Sequence, residues 1–464
     1  MERLLRNHVV SPSPPDITGT WTSMRCEVRP GPEFLLRKYR FYESGRFELL
    51  QYYYADAQCT QPMFTLAARG RVRFYGASWV LPGASEMDYS VSYVTLMPYT
   101  KPIAHFLSNK VNATCTGYAK SAWKPFQRYE ILNYVEYRSN NGYEDCLDAL
   151  DFSLHELQLM RLEERRHQHR LRTALFTGDV HTDRQRRREY RPTAFQPNPL
   201  LTHLDEDCPV CQSVSNSDEF FPPILPKRRL PALHLAGGWL SSQCETRPHN
   251  LRLTRHFIFG ADNHTWQASY HHFYDEICRE PMFSLRAEGR YVVGQTSVLV
   301  DGAYDVDFYV ESVGITARDP RIARTLNEWA KGAAPCGGKK EWTLGREQDV
   351  TDSKGCPPLG ISMAAIEKEL LRMDHDQHRL LFMGQRPTHA ELNTDIPLPR
   401  PTSFQPPLVR CGSEGLTDVN LESEEIVVMA THPPSYGSAG ITMATPTLIS
   451  VVLLAGSLCR LSAL

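Results

Sequence analysis

Cys59-Thr-Gln-Pro62-Met63-Phe64-Thr-Leu66-Ala-Ala68-Arg-Gly70-Arg71 returns far downstream as Cys278-Arg-Glu-Pro281-Met282-Phe283-Ser-Leu285-Arg-Ala287-Glu-Gly289-Arg290, identical at eight of thirteen positions. In the first stretch Phe64, Leu66, Ala68, Gly70, Val72 and Phe74 alternate with Thr65, Ala67, Arg69, Arg71 and Arg73. That period of two predicts a strand with one apolar and one basic face. The repeat extends outward on both sides. Gly19-Thr-Trp21-x4-Cys26-Glu27-x-Arg29-Pro30 recurs as Gly237-Gly-Trp239-x4-Cys244-Glu245-x-Arg247-Pro248, and Arg191-Pro-Thr-Ala-Phe195-Gln-Pro197 recurs as Arg400-Pro-Thr-Ser-Phe404-Gln-Pro406. Two divergent copies of one module follow.

Further alternation at Met87, Tyr89, Val91 and Tyr93, and at Val306, Phe308 and Val310, supplies neighbouring antiparallel strands. Glu43-Ser-Gly45 and Gly260-Ala-Asp-Asn263 read as turns. Later in each copy the spacing turns helical, at Leu154, Leu157 and Met160 to Leu162, then at Ile366, Leu370, Leu371 and Met373. The expected fold is mainly β with helices (α+β): two tandem antiparallel β-barrel or half-barrel modules, each with a packed helix. The modules are expected over 15–205 and 234–410, with a Cys- and Pro-rich linker over 206–233. A flexible stalk is expected over 411–440 and a membrane-anchor segment over 441–464.

The chain has 464 residues, a formal charge of −2 and an ordinary balance of apolar and charged residues, so no nucleic-acid partner is expected. Its twelve cysteines are mostly tens of residues apart, and Cys208-Pro-Val-Cys211 has no second CxxC to complete a metal knuckle. Disulfides and a secretory route are the better reading. Copy-to-copy equivalence suggests Cys26 with Cys59, Cys244 with Cys278, Cys115 with Cys146, and Cys336 with Cys356. Equivalence does not fix connectivity, since four cysteines allow three pairings. Cys208, Cys211 and Cys411 are left unsettled. The sequons at Asn112 and Asn263 are candidate glycosylation sites.

Met1 to His8 lacks an apolar leader, so the secretory reading expects one upstream of this start. Leu448 to Leu464 is largely apolar and follows the small residues Gly437-Ser-Ala-Gly440, which suits a cleavable lipid-anchor signal. As a helix it spans ~26 Å against a ~30 Å hydrocarbon core, a minimal single-pass anchor with Arg460 snorkelling. Either alternative attaches the chain to a membrane.

Catalysis is not expected, because no nucleophile, base and orienter stand out and His155-Glu156 is no HExxH motif. No metal site and no cofactor are expected from the scattered His167, His169, His181, His271 and His272. Arg184-Gln-Arg-Arg-Arg188 has the pattern of a dibasic protease site, of a glycan contact, or of a solvated loop.

Six motifs together resemble the adenomatosis polyposis coli down-regulated family, with the branch called "like" as the nearer match. They are Gly19-x-Trp21-x4-Cys26-Glu-Val-Arg29, Gly31-Pro-Glu-Phe34, His155-Glu-Leu-Gln-Leu159, Gly178-Asp-Val-His181-Thr-Asp183, Pro222-Pro-Ile-Leu-Pro226 and Leu253-Thr-Arg-His-Phe-Ile-Phe259. The resemblance runs from about Pro15 to Gln405. It implies a glycoprotein on the extracellular face of the plasma membrane that inhibits Wnt signalling by engaging the Wnt ligand and its co-receptor. Because Wnt proteins carry an esterified acyl chain, a β-module with an open interior offers a lipid site. The candidate lining is Phe64, Leu66, Ala68, Val72, Phe74, Met87, Tyr89 and Val91, with Ala68 and Gly70 leaving room. The alternative reading is a matrix- or glycan-binding adhesion ectodomain acting through the basic loops, distinguished by steep salt sensitivity.

Overall fold

Eight strands of the first copy pair only with antiparallel neighbours, and the last pairings bring the sheet back onto itself. They are β1 (Gly19–Ser23), β2 (Glu33–Phe41), β3 (Arg46–Tyr54), β4 (Pro62–Ala77), β5 (Ser85–Pro98), β6 (Leu159–His167), β7 (Arg170–Thr177) and β8 (Leu200–Thr202). Each pairs with the next, β8 pairs with β1, and β5 meets β6 through Ser85 opposite Met160, so the ring closes as an eight-stranded barrel. The second copy repeats it with β9 (Gly237–Ser241), β10 (Leu251–Phe259), β11 (Thr265–Phe273), β12 (Pro281–Thr296), β13 (Tyr304–Ala317), β14 (Ile366–Met373), β15 (Leu380–Met383) and β16 (Leu408–Arg410). The same pairings close that ring, from β9–β10 round to β16–β9. The computed structural model describes residues 8–10, 13–79, 81, 83–115, 118, 121–134, 146–167, 170–202, 207–229, 231–330, 336–337, 341–363, 366–373, 380–388 and 398–411. The expected stalk beyond Cys411, the expected anchor and Cys459 lie outside these.

Closure demands sharp local bending, and glycine supplies it at one equivalent position in each copy. The register of β4 on β5 shifts between Arg69 and Gly70, and that of β12 on β13 between Glu288 and Gly289. A Cβ on Gly70 would stand 2.0 Å from the Ser90 carbonyl oxygen and 2.7 Å from the Phe47 ring; one on Gly289 would stand 2.0 Å from the Tyr309 oxygen. Gly70 is therefore small to admit a bulge and an aromatic ring, which corrects its reading as a device that leaves the interior open.

Inside each barrel one motif of buried charge recurs. Ser23 Oγ donates to Glu27 Oε1 (2.6 Å), Arg37 Nε donates to the same oxygen (3.0 Å), and the Arg37 backbone N–H donates to Ser23 Oγ (2.7 Å). Ser241, Glu245 and Arg255 repeat this at 2.6, 2.9 and 2.7 Å. The indole N–H of Trp21 reaches the Ile17 carbonyl, and that of Trp239 the Leu235 carbonyl, both at 2.7 Å. The surrounding cores are aliphatic and aromatic: Tyr39, Phe41, Phe47, Leu49 and Leu96 in the first, Phe257, Phe259, Trp266, Tyr291 and Phe308 in the second.

The expected helices are in part strands. Leu159–His167 and Ile366–Met373 are β6 and β14, and only a 3-10 turn, His155–Gln158, precedes the first. Their charged outward residues misled the periodicity because they are shielded. The guanidinium of Arg161 lies 4.6 Å from the centre of the Phe195 ring, as that of Arg372 does over Phe404. The helix packed on each barrel is instead α1 (Lys101–Thr114) or α3 (Pro320–Trp329), with α2 (Pro209–Ser215) lying between the copies. Thr100 caps α1 by accepting from the Ile103 N–H, and Asp319 caps α3 by accepting from the Arg321 N–H. Thr-Lys-Pro and Asp-Pro at these points are start signals that the sequence carried.

The two barrels meet through equivalent residues. Thr182 N–H donates to Thr388 Oγ1 (3.1 Å), and Thr388 N–H donates to Thr182 Oγ1 (2.9 Å). Gly31 N–H reaches Thr402 Oγ1 (2.9 Å), while its counterpart His249 N–H reaches Thr193 Oγ1 (3.0 Å). This reciprocity is the geometry of a twofold, isologous contact within one chain. An apolar cluster completes it: Phe34, Leu36, Tyr52 and Tyr54 from the first copy pack with Leu370, Phe382 and Phe404 from the second.

Candidate functional site

One open feature of the first barrel is a cavity of about 220 Å³ at the end where β3 finishes and β4 begins. Phe34, Met63, Phe64, Leu66, Leu107 and Phe152 give it an apolar wall. Helix α1 crosses its mouth, burying Ala104, Leu107 and Val111 and leaving Phe106 exposed at the entrance. The Cys115–Cys146 disulfide joins the end of α1 to the segment that carries Phe152 and His155 into the wall.

The floor is polar. Arg29 Nη2 donates to Glu156 Oε1 (2.9 Å), and both side chains are buried. Tyr39 Oη (3.3 Å) and Gln51 Nε2 (3.5 Å) donate to the same carboxylate, and Tyr53 Oη donates to Gln51 Oε1 (2.9 Å). Burial works to raise the Glu156 pKa, but Arg29 and Arg37 outweigh it and hold the carboxylate below its usual range. The floor therefore keeps a neutralised ion pair beneath an apolar wall.

Asp179, a buried residue of the lining, behaves oppositely. Burial pushes its pKa up to about 6, against the opposing bond from Tyr190 Oη (2.7 Å). An acid whose folded pKa is raised favours folding when protonated; its contribution is present below the unfolded value and is lost as pH rises through about 6. Wild type is accordingly expected to lose stability relative to Asp179→Asn between about pH 4 and pH 7, read from paired urea titrations. A pH-independent difference would contradict this assignment.

Of the eight residues expected to line a lipid site, only Phe64 and Leu66 reach this cavity. Ala68, Val72 and Met87 are buried in the packed core further along the barrel, and Tyr89 and Val91 pack partly buried against it. Phe74 points into solvent, 39% exposed beyond the closed end. The expected strand face is thus a filled core over most of its length, open only where β4 begins. Sequence reading missed α1, Phe152 and the buried pair Arg29 and Glu156; Arg29 and Glu156 recur as Arg247 and Glu367, a signal available from the repeat.

The corresponding space in the second barrel is occupied differently. His272 stacks on Phe283 (4.3 Å) where Tyr53 stacks on Phe64 (4.5 Å). Arg386, at the position of Val180, pairs with Glu367 (2.5 Å) and Glu369 (3.2 Å).

The structure pairs Cys26 with Cys59, Cys115 with Cys146, Cys244 with Cys278, Cys336 with Cys356, and Cys208 with Cys211. Cys411 is also disulfide-bonded. Such bridges belong to an oxidising, extracellular route. Among the described residues no helix is long and apolar enough to cross a membrane. Asn263 is exposed in the β10–β11 turn, whereas Asn112 is half-buried in the last turn of α1. A family model described as adenomatosis polyposis coli down-regulated 1 matches residues 4–226 and again 228–417. The chain belongs to this family. The two matches fall one on each barrel, and they do not separate the branches of the family.

Proposed function

We propose that this family member is a cell-surface antagonist of Wnt signalling that captures the ligand's acyl chain in the cavity of its first barrel. The observation that carries the reading is a cavity of about 220 Å³, with an apolar wall above a polar floor, in a disulfide-tied barrel. It exceeds the ~150 Å³ apolar cavity that admits benzene. Each methylene withdrawn from water contributes ~0.8 kcal/mol, so about six of them supply ~5 kcal/mol. In this reading the chain is a binding protein, with contacts to the Wnt co-receptor made elsewhere on its surface. The apolar Leu448 to Leu464 segment holds it at the extracellular face of the plasma membrane.

The glycan-binding alternative draws less support from the basic loop. Arg187 is buried, donating to Glu33 Oε2 (2.9 Å), to the Pro30 carbonyl (2.5 Å) and to the His181 carbonyl (3.2 Å). Arg184 pairs with Glu33 (2.7 Å), Arg186 with Asp183 (3.7 Å) and Arg188 with Asp148. The experiment is a Wnt reporter assay with the purified chain, alongside capture of acylated and enzymatically deacylated Wnt. Inhibition with selective capture of the acylated form is expected. Equal capture of both forms would overturn the acyl mechanism.

A further inference from the structure

We propose that the segment joining the two barrels is a processing site, cut on the carboxyl side of Arg229 by a serine endopeptidase specific for paired basic residues. The chain carries two basic runs that such an enzyme reads, and they differ in exposure. The run from Arg184 to Arg188 contains the fuller consensus, yet its Arg187 is 7% exposed and its other arginines are held in ion pairs. An endopeptidase binds its substrate as an extended strand with the basic side chains in acidic subsites, so this loop must unfold before it is cut.

Pro226-Lys-Arg-Arg229 is different. All four residues are exposed and lie in no helix or strand. The prolines at 222, 223 and 226 favour an extended backbone. The segment is fixed just upstream, where Tyr54 Oη donates to the Pro223 carbonyl (2.5 Å) and the Leu225 N–H donates to the Cys59 carbonyl (3.1 Å). Beyond that point the Arg228 N–H donates to the half-buried side chain of Gln58 (2.8 Å), a bond that a protease subsite can replace. The paired basic residues are thus presented on an exposed segment anchored just upstream.

Hydrolysis consumes one water, leaving a carboxylate on Arg229 and an amine on the residue that follows. None of the five described disulfides spans the cut. Cys26–Cys59, Cys115–Cys146 and Cys208–Cys211 lie before it, Cys244–Cys278 and Cys336–Cys356 after it, and the two remaining cysteines, 411 and 459, are also downstream. The reciprocal threonine contacts and the shared apolar cluster then hold the halves together without a covalent link. Processing converts the chain into a two-fragment complex whose cavity-bearing half is able to leave its C-terminal half. This site stands whether or not the cavity takes an acyl chain.

The test treats the folded full-length chain with a paired-basic endopeptidase and maps the new termini by mass spectrometry. One cut after Arg229 is expected, giving fragments that separate on a non-reducing denaturing gel and co-elute in native gel filtration. Replacing Lys227, Arg228 and Arg229 by alanine should abolish the two-fragment pattern, and Arg186→Ala should leave it unchanged. Cutting within residues 184–188 of the folded chain, or no cutting of a folded chain that is cut once denatured, would overturn the proposal.

Discussion

Glu27→Ala is expected to destabilise the protein by about 3–5 kcal/mol, the cost of leaving a buried cation without its counter-charge. Arg37 has no exposure to solvent, and Glu27 supplies the carboxylate that meets its guanidinium at 3.0 Å. Ser23 Oγ, donating to the same carboxylate, cannot compensate a positive charge by itself. Replacing both members, with Glu27→Leu and Arg37→Met, should recover much of the loss, because an apolar pair of similar volume carries no desolvation penalty. The recovery separates charge imbalance from simple cavity formation. Denaturant midpoints of the two variants decide it; a loss below about 1 kcal/mol for Glu27→Ala would place the pair in the weak class of exposed salt bridges. Glu245→Ala should act alike in the second barrel, where Arg255 repeats the arrangement.

Much of this architecture was legible because the chain says it twice. The repeat exposed the equivalent cysteines, the tryptophan at each barrel's first strand and the alternation at Phe64 to Phe74, all local signals with a period of two. The unread parts depend on distant residues. Nothing local to Leu159–His167 announces a strand, since its Leu, Met, Arg and Glu are good helix formers. Its conformation is imposed by pairing with β5 and β7 and by the Phe176 and Phe195 rings beneath Arg161. Likewise the run at Arg184 reads as solvated until Glu33, far upstream, is found beside it. Gly70 carried the opposite lesson, because a small residue in a strand signals close approach, and the partner here was Phe47.

The second large effect concerns the cavity. Ala68→Trp is unsuitable as a blocking change, because Ala68 is 1% exposed between Leu49 and Val94 and an indole there overpacks the core. Ser153 lines the cavity and is only half-buried, so Ser153→Trp is expected to fill acyl space from the mouth while the barrel still folds. Displacing about three methylenes removes ~2.4 kcal/mol, more than a tenfold loss of affinity. Val180→Arg offers an independent route, since arginine at the equivalent position of the second barrel occupies that space with its ion pairs.

The most direct measurement is a titration of the purified chain with a fluorescent long-chain fatty acid, run beside Ser153→Trp with its fold checked by circular dichroism. Saturable binding of one fatty acid per chain, weakened at least about tenfold in the variant, is the predicted result. No saturable binding, or equal binding by a folded Ser153→Trp variant, would contradict the assignment of the first-barrel cavity as an acyl-chain site.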